Sequence, residues 1–214
     1  MNPTRRSLLS LALASLLAGT APAPAAAAGA FPLHTVTIIV PTPAGGASDT
    51  SARLIARWLS ANWGQPVVVE NRAGANGALA AQAVMGASAD GHTLLWGGAF
   101  MAGLPLVQKA VPYKALADFE PVSNAVHLGY ALFVSRELPV QNFADLVAYG
   151  RAHPGKLNVG TGPLTEWGMA LHVLGSVGVK AERVPYKGGV QIMPDLISGQ
   201  VHLNFGPIVG GLQH

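Results

Sequence analysis

The residues of this chain that could do chemistry gather in four loops rich in Gly or Pro, at 41–48, 71–76, 161–166 and 186–190. Each follows a short strand-like run and precedes a segment with helical periodicity. Glycine lets a backbone approach a ligand closely. The helix that follows offers unpaired N–H groups and the positive end of its dipole. Loops of this make suit an anion such as a carboxylate. Gly45-Gly46 therefore reads as a point of ligand approach, and Gly46→Val is expected to abolish binding while leaving the fold near native. Asp49 has two readings: it bonds a ligand amine or bridging water, or it sits in a first helical turn paired with Arg53 at i,i+4. Thr161 and Thr165 can present hydroxyls to a carboxylate, or cap a helix starting near Trp167. Arg72 has the shape of a bidentate carboxylate anchor, but beside Glu70 it reads as structural. Lys187 reads as a solvated rim residue. Trp63 and Trp96 read as core or interface residues, and Trp167 alone is placed to line a cleft.

Other chemistries find no footing. The chain has 214 residues and no Cys, which excludes disulfides, thiolate metal sites and cysteine nucleophiles. The seven His residues show no H-E-x-x-H or comparable ligand spacing, so no metal site and no cofactor is expected. Neither G-x-S-x-G nor a Walker A pattern is present, and G-x-G-x-x-G fails because Gly160 and Gly162 are followed by Thr165. Half the residues are hydrophobic and only 11% are charged, against about 25% in a typical soluble domain; that balance excludes intrinsic disorder. The formal net charge is +3, and two of its positives, Arg5 and Arg6, fall in a terminal segment expected to be removed. No other basic run exists, so no nucleic-acid partner is expected.

The elements that must position these loops alternate. Strands are expected at Val36–Val40, Gln65–Glu70, Thr93–Trp96, Ala131–Val134, Leu157–Gly160, Glu182–Val184 and Val201–Phe205. Helices are expected at Asp49–Asn62, Gly77–Gly86, Phe143–His153, Trp167–Val177 and Gln191–Ser198. This order implies parallel βαβ units, in which ligands bind beyond the carboxyl ends of the strands. The least regular stretch, Gly97–Val122, is the expected crossing between two lobes. Before all this, Arg5-Arg6, the apolar stretch Leu8–Ala18 and the small residues Ala25–Ala28 have the order of a cleavable export signal over residues 1–28, of Sec or twin-arginine type. The cut is expected between Ala26 and Ala30. The stretch is too short for a membrane span, and no Cys is present to carry a lipid, so a soluble periplasmic product without a membrane anchor is expected.

Six segments carry a resemblance. Val40-Pro41-Thr42-Pro43-Ala44-Gly45-Gly46-Ala47-Ser48-Asp49 with Ala52-Arg53 is the first, and Gly64 to Arg72 with Gly74-Ala75 the second. Asp90-Gly91-His92-Thr93-Leu94 and Val184-Pro185-Tyr186-Lys187-Gly188-Gly189 with Asp195-Leu196 and Gly199-Gln200-Val201 follow. Asp118-Phe119-Glu120-Pro121-Val122 and Pro154 to Asn158 complete the set. In this order, from Phe31 to about Gly206, they resemble the periplasmic substrate-binding receptors of tripartite tricarboxylate transporters, the Bug family. The resemblance implies an α/β, two-lobed fold of the periplasmic binding protein type II kind, with mainly parallel sheets flanked by helices. Residues 29–122 would form the first lobe and 123–214 the second, and the C-terminal part of the fold would be missing. It further implies that a truncated 29–214 product is aggregation-prone or binds poorly.

A small organic acid would be held by the two facing loops, through Thr42, Pro43, Ala44, Gly45, Gly46 and Asp49 on one side and Thr161, Gly162 and Thr165 on the other. The implied partners are the membrane permease subunits of such a transporter, and no catalysis is implied. Thr42 stands where the family often has an aromatic, His92 where it has Tyr, Gly168 where it has His, and Gly206 where it has an acidic residue. Two other functions compete: an adaptor that presents the same ligand to a membrane sensor kinase, and a periplasmic hydrolase.

Overall fold

The computed structural model describes residues 31–114 and 117–212, and the expected signal segment, residues 1–28, lies outside the described residues. His34–His214 form one unit, and Phe31–Leu33 belong to another. β-Branched runs supply the first sheet. Val36–Val40 (β1), Val67–Asn71 (β2) and Thr93–Leu95 (β3) pair in the order β2-β1-β3, all parallel. The second sheet holds Tyr130–Val134 (β4), Leu157–Thr161 (β5), Ala181–Pro185 (β6) and Leu203–Pro207 (β7), in the order β4-β7-β5-β6. Its β5–β6 and β5–β7 pairs are parallel, and β4–β7 is antiparallel.

The helices are Ala47–Trp63 (α1), Ala78–Met85 (α2), Ala99–Val107 (α3), Phe143–Ala152 (α4), Leu164–Ser176 (α5), Gly189–Ile197 (α6) and the short Ile208–Gly211 (α7). α1 lays Ala52 and Ala56 on Val36, Ile38 and Val40 of β1, because small side chains let helix and sheet approach. The second core joins Leu146, Leu157, Val159, Ala170, Leu174 and Leu203. Met101 and Leu104 of α3 pack with Ala78, Ala81 and Tyr113, and Leu164 at the start of α5 reaches this same cluster from the other sheet's side.

Three expectations about elements are corrected. Gly97–Val122 is not wholly irregular, since it contains α3 in spite of Gly103 and Pro105. Burial of Met101 and Leu104 outweighs the weak helix propensity of AFMAGLPLV. The last strand starts at Leu203 rather than Val201: the Val201 N–H bonds the Asp195 carbonyl at the end of α6 instead of joining the ladder. The helices α1, α5 and α6 each begin two or three residues ahead of expectation, at Gly or Pro caps.

Candidate functional site

Three of the strand-to-helix crossings place loops side by side at the carboxyl ends of their strands. β1 runs into the loop before α1, β5 into the loop before α5, and β6 into the loop before α6. These loops meet. A Cβ added at Gly188 would lie 2.8 Å from Pro43 Cδ, one at Gly162 would lie 3.0 Å from Gly188 Cα, and one at Gly46 would lie 3.9 Å from Val190 Cγ2. Gly188 is buried between the loop of the first sheet and the loop of the second.

The same local device organises each loop. Gly46 caps α1, and Asp49, three residues into the helix, accepts the Gly45 N–H at 2.9 Å. Pro163 caps α5, and Glu166 accepts the Gly162 N–H at 2.6 Å. Gly188 caps α6, and Gln191 accepts the Lys187 N–H at 3.2 Å. In each case an acceptor in the first turn holds the amide one residue ahead of the cap, a shifted form of the reciprocal capping box.

Asp49 is buried and fully tied. Besides Gly45 it accepts from Arg53 Nε at 3.0 Å and Asn71 Nδ2 at 2.9 Å, and Arg53 Nη2 lies 2.9 Å from its other oxygen. Burial alone would raise its pKa, but the Arg53, Gly45 and Asn71 hydrogen bonds together hold it below the ordinary value. The local reading of Asp49 thus describes its contacts. Asn71 also donates to the Thr42 carbonyl at 3.0 Å. Thr42 Oγ1 is buried and has no hydrogen-bond partner among the described residues. Ala44 and Gly45 are exposed, and Gly45 has φ of 82°, which glycine tolerates.

On the second side, Thr161 is buried at the end of β5 and its hydroxyl accepts from Arg183 Nε at 2.9 Å. Thr165 lies inside the first turn of α5, so it does not cap a helix beginning near Trp167. Trp167 lies under the Arg183 guanidinium, 5.9 Å from ring centroid to Cζ. Arg72 pairs with Glu70 at 2.5 Å on the surface, as its structural reading requires.

Glu166 is the residue that sequence reasoning missed. It is 2% exposed, and burial pushes its pKa up to about 7 against the hydrogen bonds from Gly162 and Asn204. The nearby Tyr130 phenol is raised as well, by burial first and by Glu166 second. A signal existed: the step from Gly162 to Glu166 repeats the step from Gly45 to Asp49. Asn204, whose Nδ2 donates to the Gly160 carbonyl at 2.9 Å, and Gly188 carried no comparable mark.

Mainly parallel sheets flanked by helices, with three strand-to-helix loops converging at helix starts, define an α/β fold of the kind whose ligands bind beyond the carboxyl ends of the strands. The family model of the tripartite tricarboxylate transporter family receptor matches residues 51–208, and the chain belongs to that family. Protein BugT of Bordetella pertussis is 34% identical over 195 residues, covering 87% of this chain and 59% of BugT. Among solved structures, that of Rpa4515 of R. palustris with adipate superposes with a TM-score of 0.82 at 35% identity, covering 86% of this chain and 62% of the other. MatC from Rhodopseudomonas palustris with bound malate gives 0.78 at 33% identity, covering 86% and 63%. This chain therefore spans about three fifths of the length of the relatives it matches. Among the described residues no helix is long and apolar enough to cross a membrane.

Proposed function

We propose that this protein is a periplasmic receptor that captures a small organic mono- or dicarboxylate and delivers it to the membrane permease subunits of a tripartite tricarboxylate-type transporter. The observation that carries this reading is the convergence of the loops of Pro43, Gly162 and Gly188 at three helix starts. Such a junction presents amide groups and positive dipole ends to an anion. The buried Thr42 hydroxyl adds a donor without a protein partner among the described residues. Adipate and malate in the related structures belong to the same chemical class. In this reading residues 29–122 and 123–214 form the two lobes, residues 1–28 direct export, and Thr42, Pro43, Ala44, Gly45, Gly46, Thr161, Gly162 and Thr165 line the crevice. Asp49 shapes it from behind.

The test is a thermal-shift panel of organic acids, amino acids and aromatic acids, with nucleotides and sugars as controls. A ligand at a hundredfold excess over Kd should raise stability by about 2.7 kcal/mol. Shifts with carboxylates alone are expected. Shifts confined to nucleotides or sugars would end the reading.

A further inference from the structure

We propose that His34, Asp90 and His92 form a binding site for a borderline divalent metal ion of the Zn²⁺ class, at the end of the first sheet opposite the crevice. His34 stands two residues ahead of β1, and Asp90 and His92 lie in the turn that leads into β3. These strands are parallel neighbours, with Thr37 opposite Thr93, so their amino ends bring the three side chains together. The Thr37 N–H donates to the His92 carbonyl at 2.7 Å and fixes the two chain segments side by side. The ligand atoms of the three residues all lie within 4.8 Å of one another. The loops of the proposed carboxylate crevice leave from the other ends of the strands, so this site is separate from it.

The geometry suits a tetrahedral ion. With metal–N and metal–O distances of about 2.0–2.2 Å, two ligands of one tetrahedral centre stand roughly 3.3 Å apart. His92 Nδ1 and Asp90 Oδ1 are already 3.2 Å apart. The His34 ring is stacked on that of His92, with centroids at 3.7 Å and planes at 25°. His34 is exposed, so its ring can turn out of the stack about rotatable bonds and bring its ligand atom from up to 4.8 Å to the roughly 3.3 Å of a shared centre, a shift of at most about 1.5 Å. Its Nδ1 lies 3.2 Å from the Thr35 carbonyl; donating there leaves Nε2 as the ligating atom, the outer-shell arrangement common to metal-bound imidazoles. His92 is largely buried and held in place. Asp90 is an ionised carboxylate, kept so first by the His92 N–H that it accepts at 2.9 Å. Two imidazoles and one carboxylate, with no thiolate in the chain, select Zn²⁺, Ni²⁺ or Cu²⁺ over Ca²⁺, Mg²⁺ or Cu⁺. Linear spacing could not show this group, because His34 is far from the other two in sequence.

The experiment is isothermal titration of the metal-free, untagged chain with Zn²⁺, repeated on His34→Gln and Asp90→Asn. Both variants keep a polar side chain, and the amide of Asp90→Asn retains an oxygen for the His92 N–H, so the metal-free melting temperature should stay near that of the parent. One site with micromolar or tighter Kd is expected, weakened at least tenfold by either substitution. A rise in melting temperature with Zn²⁺ should accompany binding and vanish in both variants. Binding only at millimolar Zn²⁺, or micromolar binding that both variants retain, would overturn the site. Carboxylate binding in the thermal-shift panel should be unchanged in the two variants.

Discussion

The folded protein holds the Glu166 proton up to about pH 7, whereas the unfolded chain releases it near the ordinary 4.5. Between those values the folded state binds more protons, so this group's contribution makes stability fall as pH rises from about 4.5 to 7, and level off above. The shift corresponds to roughly 3 kcal/mol at most. Glu166→Gln removes the buried charge and keeps an acceptor for Gly162. It should match the parent at pH 4.5 and exceed it by about 1–3 kcal/mol at pH 8, measured by urea denaturation at both pH values. A parent and variant that stay parallel across this range would show that Glu166 titrates normally. On the proposed carboxylate role, ligand affinity should also fall as pH rises through 7 in the parent and stay flat in Glu166→Gln. Asp49 behaves in the opposite sense. Its pKa is depressed, so its contribution is present above 3.8 and lost as pH falls below it. Asp49→Ala leaves the Gly45 amide, Arg53 and Asn71 without their shared acceptor and should cost about 2–3 kcal/mol, with Asp49→Asn costing less.

Four helices share one way of starting, and it lives at the level of the element rather than the residue. α4 adds the fourth instance: Asn142 caps it, Asp145 accepts the Gln141 N–H at 3.0 Å, and Asp145 N–H donates back to Asn142 Oδ1 at 3.0 Å. In α5 the cap is Pro163, which has no N–H to offer, so the acceptor's reach to the preceding amide is forced there. Removing the acceptor where its hydrogen bond is exposed tests the device without touching a core. Asp145→Ala should cost about 1 kcal/mol in chemical denaturation, in the range of a lost helix cap, and Gln191→Ala somewhat less because its bond is longer. No loss in either variant would reduce the pattern to coincidence. The strands around these helices were legible in the sequence because Val36–Val40, Val67–Asn71 and Leu157–Thr161 are β-branched or apolar runs ended by Pro, Gly or Asn. Helix starts were placed late because Ala47, Leu164 and Gly189 carry no Ser, Thr, Asp or Asn cap in front of them. α3 stayed hidden because Pro105 and Gly103 speak against a helix, and only its burial against Ala78 and Tyr113 speaks for it.

At the scale of the whole unit, the loops of the crevice were readable as loops, yet their mutual distances were not. Pairing β1 with β3 is a long-range choice that brings His34 against His92, and the meeting of loops from the two separate sheets brings Pro43 against Gly188. The same distances change the expectation for Gly46. A Cβ there meets only the Pro43 carbonyl at 3.4 Å and Val190 Cγ2 at 3.9 Å, both ordinary contacts, and its φ of −74° suits any residue. Gly46→Ala should therefore shift stability by less than about 0.5 kcal/mol, and only the further methyls of Val would press on the loop of α6. Gly188 is the tighter position. Its backbone is extended, with φ of 179°, so no conformational strain opposes a side chain. The obstacle is steric, because a methyl group would sit 2.8 Å from the Pro43 ring, which is too rigid to swing aside. Gly188→Ala must push the loop of the first sheet away from the loop of the second. Overpacking of this kind costs about 1–3 kcal/mol. The melting temperature should fall accordingly, and amide hydrogen exchange should accelerate in the segment Thr42–Ala47 while the β5–β6 ladder keeps its protection. A variant with parental stability and unchanged exchange at that segment would mean that Pro43 and Gly188 do not meet in solution, and that the two sheets' loops stand apart there.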